Sequence, residues 1–332
     1  MKISDKFDVR RRKMMKISTR DAYGEALIRL GKENKDVVVL DADLSKSTRT
    51  YKFANVFPER FFNMGIAEQN MMGTAAGLAT CGKIPFGSSL AVFATERAYN
   101  QVRQLIAYPR LNVKIVATHG GISVGEDGVS HQTTTDIAIM RALPNMTVIV
   151  PADAIETEMA IMASVKYEGP FYIRLGREPI PLVYEEGYRY LGRRLTFKVG
   201  RAVTLRDGGD VTIIATGILV AKALTAANIL GEEGVEARVI NIHTIKPIDQ
   251  KTILQAAEET GAIVTAEEHS IIAGLGGAVA EVLTENYPVP IQRIGIKDEF
   301  GESGSAEELL IKYGLTASNM VHAAKEVIKM KS

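Results

Sequence analysis

Two histidines and two carboxylates share one glycine-rich stretch, His119-Gly-Gly-Ile-Ser-Val-Gly-Glu126-Asp127-Gly-Val-Ser-His131-Gln132. Imidazoles exchange protons near neutral pH and carboxylates accept hydrogen bonds from hydroxyl groups, so the cluster suits proton transfer on a polar substrate. The residues just before it, Val113-Lys-Ile-Val-Ala-Thr118, are an apolar, β-branched run that predicts a buried strand. The loop then sits at the carboxyl end of a strand, the side of an open α/β sheet where ligands bind. An incidental solvated loop is the alternative, and the concentration of titratable residues argues against it. A zinc site from His119 and His131 lacks support, because the pair is twelve residues apart with no cysteine nearby.

A second candidate is Asn63-Met-Gly65-Ile-Ala-Glu68-Gln69-Asn70. Glu68 falls in the opening turn of a helix predicted over 65–79. The helix dipole alone accounts for many glutamates so placed. Gly73, Ala75, Ala76 and Gly77, however, make the helix suited to close packing and burial. A carboxylate at the mouth of a buried helix needs a partner.

These segments belong to a regular alternation. Ser18-Thr19 can cap a helix running to about Arg29, and Val37-Val-Val-Leu40 reads as a buried strand leading into a polar loop, Asp41 to Ser47. Further strands are predicted at 84–90, 147–150 and 171–175, with helices at 93–108, 133–142 and 154–166. Strand–helix units joined by short loops imply a parallel, doubly wound α/β sheet. The proline-bearing stretch from Glu178 reads as a linker, taken as 179–195, between one α/β domain over 17–178 and a second over 196–332. Gly274-Leu-Gly276-Gly277 lacks the spacing and context of a dinucleotide fingerprint and reads as a close helix–strand packing turn.

The 332 residues are 46% hydrophobic and 24% charged, with a net charge of +1. That balance describes an ordinary globular protein with no strong field for nucleic acid or an anionic membrane. No uncharged stretch is long enough to span a bilayer. A single cysteine, Cys81, excludes an internal disulfide and suggests a reducing, cytoplasmic setting. Residues 1–16 form a basic arm (Arg10, Arg11, Arg12, Lys13, Lys16) without the apolar core of a signal peptide.

Taken together, Gly65-Ile-Ala-Glu68-Gln69 and His119…Gly125-Glu126-Asp127-Gly128…His131-Gln132 resemble the pyrimidine-binding and C-terminal portion of transketolases. The likeness runs from about Ile17 onward. Full-length members carry a further domain whose Gly-Asp-Gly motif binds the metal and diphosphate of thiamine diphosphate, and no Gly-Asp-Gly occurs here. The resemblance is therefore to the C-terminal subunit of a split transketolase. It implies an N-terminal partner chain, a homodimer or α2β2 heterotetramer, and Mg2+ (or Ca2+ or Mn2+) held mainly by that partner.

The resemblance also assigns roles. Glu68 matches the glutamate that hydrogen-bonds the cofactor's aminopyrimidine ring nitrogen, favouring the imino form that removes the thiazolium proton; burial is expected to raise its pKa. Phe93 matches the aromatic stacking on that ring, although spacing alone serves a core residue equally well. Asp43 matches an aspartate near the cofactor. His131 matches the histidine beside the donor sugar's reacting hydroxyl, and Asp127 the residue that recognises the C2 hydroxyl. Arg20, Ser47, His119 and Arg177 match the group holding the sugar phosphate, a task suited to cations and to the bidentate arginine fork. Leu90 and Glu96 stand where aromatics are usual. The activity implied is transfer of a two-carbon ketol unit between sugar phosphates of the pentose phosphate kind. The histidine loop argues against the β subunits of 2-oxoacid dehydrogenases, and 1-deoxyxylulose-5-phosphate synthases are normally single chains. A non-catalytic paralogue acting as a binding module is the remaining alternative. In the second domain, His243 to Asp249 and Glu267-Glu-His269 are assigned structural or interface work.

Overall fold

The structure, a computed structural model, describes residues 15–331; most of the basic arm, residues 1–14, lies outside the described residues. Helix α1 (Thr19–Glu33) starts at Ser18, whose hydroxyl accepts the Asp21 N–H. It outruns the expected end near Arg29, because Leu30 and Gly31 extend its buried face. A Cβ on Gly31 would lie 2.4 Å from the Phe57 ring, so only glycine admits that neighbour.

Six strands of the first half's main sheet follow: β1 (Val37–Asp41), β2 (Phe61–Asn63), β3 (Ile84–Leu90), β4 (Lys114–Thr118), β5 (Thr147–Ile149) and β6 (Phe171–Arg174). Every residue of β1, β4 and β6 is buried, the signature of a parallel sheet covered on both faces. Among the covering helices are α1, α2 (Glu68–Thr80), α3 (Asp136–Ala142) and α4 (Ala154–Ser164).

The second half contributes β7 (Val203–Arg206), β8 (Val211–Ala215), β9 (Ala237–Asn241), β10 (Thr244–Lys246), β11 (Ile263–Ser270) and β12 (Ile291–Ile296). Its longer helices are α5 (Leu219–Glu232), α6 (Gln250–Thr260), α7 (Leu275–Asn286) and α9 (Ala317–Lys329), with the shorter α8 (Ala306–Lys312) between the last two. The sheet order is β7-β9-β8-β11-β12, parallel except for β7. Strand β10 leaves this half and pairs antiparallel with β5, giving the first sheet the order β10-β5-β6-β4-β3-β1-β2. Residues 243–249 thus do structural work by completing the other half's sheet.

Two expected helices depart from the sequence reading. The stretch 93–108 is not one regular helix: wide π turns span Phe93–Arg97 and Val102–Ala107, with a short α turn at Tyr99–Gln101 between them. Thr95 Oγ1 bonds back to the Ala91 carbonyl at 2.7 Å, a competition that disturbs regular helical bonding. Helix α3 begins at Asp136 rather than 133, because the hydroxyls of Thr133 and Thr135 are both drawn to Glu96 Oε1, at 2.7 and 2.8 Å.

The halves are joined by buried polar contacts. Asp153 caps α4 through the Glu156 N–H and also accepts the N–H groups of Val183 and Tyr184, 2.7 and 2.8 Å away. Burial pushes its pKa up to about 7. Glu156 accepts from Tyr188 and from Asn241 of β9. Within the second half, Glu267 accepts the N–H groups of Leu275 and Gly276 at the start of α7. A Cβ on Gly274 would lie 2.1 Å from that carboxylate, which explains the glycines there as a close-packing turn.

Candidate active site

All the candidate residues lie at or just beyond the carboxyl ends of strands in the first sheet or on α1 beside it. Asp43 follows β1, Glu68 follows β2, Phe93 follows β3, His119 and the loop follow β4, and Arg177 follows β6. Strands β1 and β3 are neighbours from which the chain departs in opposite directions, from β1 to β2 at the edge and from β3 to β4, and such a switch point is where a doubly wound sheet opens a crevice.

At one end, Glu68 opens α2 with its side chain only 1% exposed. Its Oε1 accepts from Ser89 Oγ at 3.3 Å and its Oε2 from Arg97 Nη1 at 2.9 Å. The same guanidinium lies over the Phe93 ring, 4.3 Å from its centroid. Phe93 meets the His131 ring edge-to-face, with centroids 5.4 Å apart. His131 Nδ1 is hydrogen-bonded with Ser130 Oγ at 2.9 Å. The fold therefore brings Glu68, Phe93 and His131 together, with Arg97 as a member that sequence reasoning missed.

At the other end stands a cluster of cations. Arg20 Nη1 donates to the carbonyl of Ser47 at 3.0 Å, so in this structure Ser47 meets Arg20 through its backbone oxygen. Arg20 Nε is buried without a partner among the described residues. Burial, then Arg49 and Arg177, lower the Arg20 pKa. His119, at φ +62, is buried, and its Nδ1 is hydrogen-bonded with Thr118 Oγ1 at 2.7 Å. Burial, with Arg20, Arg177, His131 and Arg49 around it, holds its pKa down to about 3. With so low a pKa His119 is neutral at pH 7 and offers the cluster a hydrogen bond. Arg49, also missed, is positioned by Asp21, which its Nε meets at 2.7 Å, and by the Lys46 carbonyl at 2.8 Å. Arg177 donates to the Val124 carbonyl and lies 3.5 Å from Asp127 and 3.7 Å from Glu126. Asp127 is exposed at the rim.

Asp43, at φ +62 and exposed, accepts from Asn63 Nδ2 at 2.9 Å. The buried anchor of its loop is Asp41, which accepts from the Leu44 N–H and the hydroxyls of Thr48 and Thr50 at 2.6, 2.6 and 2.8 Å. Beneath the histidine loop, Arg174 Nε meets Asp136 at 2.8 Å and Arg174 Nη2 donates to the Glu268 carbonyl, also at 2.8 Å. From above, Gln132 donates to the Glu302 carbonyl at 2.9 Å and Ser303 to the Glu126 carbonyl at 2.6 Å. The loop is gripped on both sides by the second half of the chain.

A doubly wound pyrimidine-type domain followed by a smaller α/β domain, with a buried carboxylate at the first crevice, defines the class. Residues 15–181 match the pyrimidine binding domain of transketolase and residues 200–320 its C-terminal domain. The chain belongs to the transketolase family. Within it, the chain is a C-terminal subunit of the split type. It is 53% identical, over 93% of its length and 96% of the other's, to a Methanocaldococcus jannaschii protein named for the C-terminal section of transketolase. It is 44% identical, over 94% and 95%, to the 6-deoxy-6-sulfo-D-fructose transketolase subunit of a Clostridium species. A solved split-gene transketolase, described as an inactive beta4 tetramer, superposes with a TM-score of 0.87 at 54% identity over 95% of this chain and all of that one. The Leishmania mexicana transketolase gives 0.80 at 28% identity, with 96% of this chain covering 46% of that enzyme.

Proposed function

We propose that this chain, joined to a separate N-terminal subunit, transfers a two-carbon ketol unit from a ketose phosphate to an aldose phosphate with thiamine diphosphate as cofactor. The observation that carries the reading is the set Glu68, Arg97 and Phe93. A planar, cationic hydrogen-bond donor lies on an aromatic ring and donates to a buried carboxylate, so the residues fit a planar heterocycle that donates through a ring nitrogen. The cofactor, when bound, supplies a carbon nucleophile and an electron sink. Glu68 shares a proton with the ring nitrogen. His131, beside Phe93, moves a proton at the sugar's reacting hydroxyl. Asp127 receives a substrate hydroxyl, and Asp43 orders the β1 end of the crevice. Arg20, Arg49, Arg177, Ser47 and neutral His119 hold the sugar's anionic end. The partner chain carries the metal and diphosphate.

Exposed apolar residues flank this crevice and α2: Ile66 at 78%, Tyr108 at 81% and Leu105 at 43%. Such a face is suited to burial in an assembly, here a homodimer of this chain or an α2β2 heterotetramer with the cofactor between chains. No helix among the described residues is long and apolar enough to cross a membrane. We place the assembly in the cytoplasm, on its single cysteine.

The deciding experiment mixes this chain with its Gly-Asp-Gly-bearing partner, thiamine diphosphate and Mg2+, and measures ketol transfer from a panel of donors. Transfer only by the mixture supports the reading, and transfer by this chain alone refutes it. The panel includes a 6-sulfo ketose and a ketose 4-phosphate. Relatives are named for 6-deoxy-6-sulfo-D-fructose and, at 40% identity, for apulose 4-phosphate, and arginine clusters accept sulfonate as well as phosphate.

A further inference from the structure

Arg97 is unlike the other charged residues of the crevice. Its side chain is 46% exposed, yet its guanidinium ends on a carboxylate that is 1% exposed. Apart from Glu68, its guanidinium has no hydrogen-bond or ion-pair partner among the described residues; the Phe93 ring supports it from one face. The backbone is separately anchored, because Gln69 Nε2 donates to the Arg97 carbonyl at 3.0 Å. The side chain can therefore leave without disturbing the wide turn that carries it.

The electrostatics give that contact a purpose. Glu68 otherwise has one hydrogen bond, 3.3 Å from Ser89. A carboxylate at that depth with a single neutral donor is costly, and a cation that reaches it removes the cost. The Arg97 guanidinium, itself a flat group, also lies over Phe93, the place a flat ring would take. We infer that Arg97 is a positioning residue that stands in for the cofactor's aminopyrimidine ring in the unassembled chain and withdraws when that ring binds. The inference rests on the reading of Glu68 as the cofactor's carboxylate. It adds that the empty subunit carries its own occupant, which pairs Glu68 and keeps it aimed while the partner is absent.

The sign of the test follows. A site that must first release an internal occupant binds its ligand with an apparent Kd raised by the inverse of the fraction of time it is free. In Arg97→Met, which keeps an apolar stem over Phe93, the assembled complex should bind thiamine diphosphate about three- to tenfold more tightly by calorimetry. The free chain should melt at a lower temperature than the unmodified chain, because Glu68 has lost its counter-ion. The double variant Glu68→Gln/Arg97→Met should regain that loss. Unchanged or weaker cofactor binding by Arg97→Met would overturn the proposal, since Arg97 would then be a permanent part of the site. Should Arg97→Met fail to fold, a crystal structure of the unmodified holo-assembly decides: the guanidinium away from Glu68 supports the inference, and an intact 2.9 Å contact overturns it. Failure of the unmodified assembly to bind thiamine diphosphate would instead refute the functional reading, while the melting comparison still tests the Arg97–Glu68 compensation.

Discussion

Gly121 and Glu268 meet so closely that a Cβ on the glycine would lie 2.2 Å from the glutamate's carboxyl carbon. Gly121 is at φ +89, and Glu268 is buried with its Oε1 accepting the Ser123 N–H at 2.7 Å. Any side chain there would push Glu268 off its bond to Ser123. The histidine loop is therefore seated on the second half of the chain through a glycine. Gly121→Ala should cost about 2–4 kcal/mol from left-handed strain and forced displacement of Glu268. Chemical denaturation of the free chain measures this; an effect below about 0.5 kcal/mol, the size of an ordinary surface change, would show that the seat is not rigid.

Glu68→Ala should leave the assembled enzyme folded and lower the rate of hydrogen exchange at the cofactor's C2 by roughly two to four orders of magnitude. The exchange can be followed in deuterated water by NMR. A rate equal to that of the unmodified complex would remove Glu68 from its assigned role. His131→Ala should lower kcat for ketol transfer by a comparable factor while sparing C2 exchange, because its place beside Phe93 suits a proton transfer on the sugar.

At the cationic end of the site, Arg20 has a buried Nε without a partner among the described residues, and Arg49 adds a charge held by Asp21. Arg20→Ala should raise KM for phosphorylated substrates about 10- to 100-fold, the worth of a charge-assisted hydrogen bond, with kcat changed far less. A donor without phosphate or sulfonate should show no such rise. Equal loss with both donors would mean that Arg20 supports the fold of the Ser47 turn and does not hold the anion.

The buried His243 predicts a pH effect on stability. Its ring stacks on Phe197 at 4.3 Å, and burial holds its pKa down to about 3, from 6.5 in a free side chain. In the window between these values the unfolded chain binds a proton that the folded chain refuses. Stability is thus fully present above pH 6.5 and is lost as pH falls, by about 1.4 kcal/mol per unit for this group. Asp153 acts in the opposite sense, since its raised pKa makes the folded chain the stronger proton binder between about 4 and 7. The comparison must therefore be between the unmodified chain and His243→Gln, whose stability difference should narrow as pH falls from 6.5 to 4.5. Parallel curves would show that His243 is protonated in the folded chain.

Much of the site could be read from local pattern. Glu68 at a helix start, the histidine loop after an apolar run and Arg177 after another strand all depend on elements whose periodicity is short-range. Gly274 and Gly276 were legible as packing glycines for the same reason. Arg97 and Arg49 gave no such signal, because an arginine on a presumed helix or in a turn is ordinarily a solvated residue. The irregular stretch 93–107 was hidden too: its composition suits an α-helix, and the bond from Thr95 to Ala91 that opposes one appears only in three dimensions.

By itself, then, the sequence determined the alternation of strand and helix, the side of the sheet that carries the candidate residues, and the family motifs, since each is written within a few consecutive residues. Only the tertiary structure decided that β10 completes the first sheet, that Arg174, Asp136 and Glu268 underlie the histidine loop, that His119 is neutral, and that Arg97 lies on Phe93 against Glu68. These depend on burial and on contacts between residues far apart in the chain, 145 positions in the bond from the Ser123 N–H to Glu268. Desolvation and long-range approach are properties of the packed chain, and no local pattern encodes them.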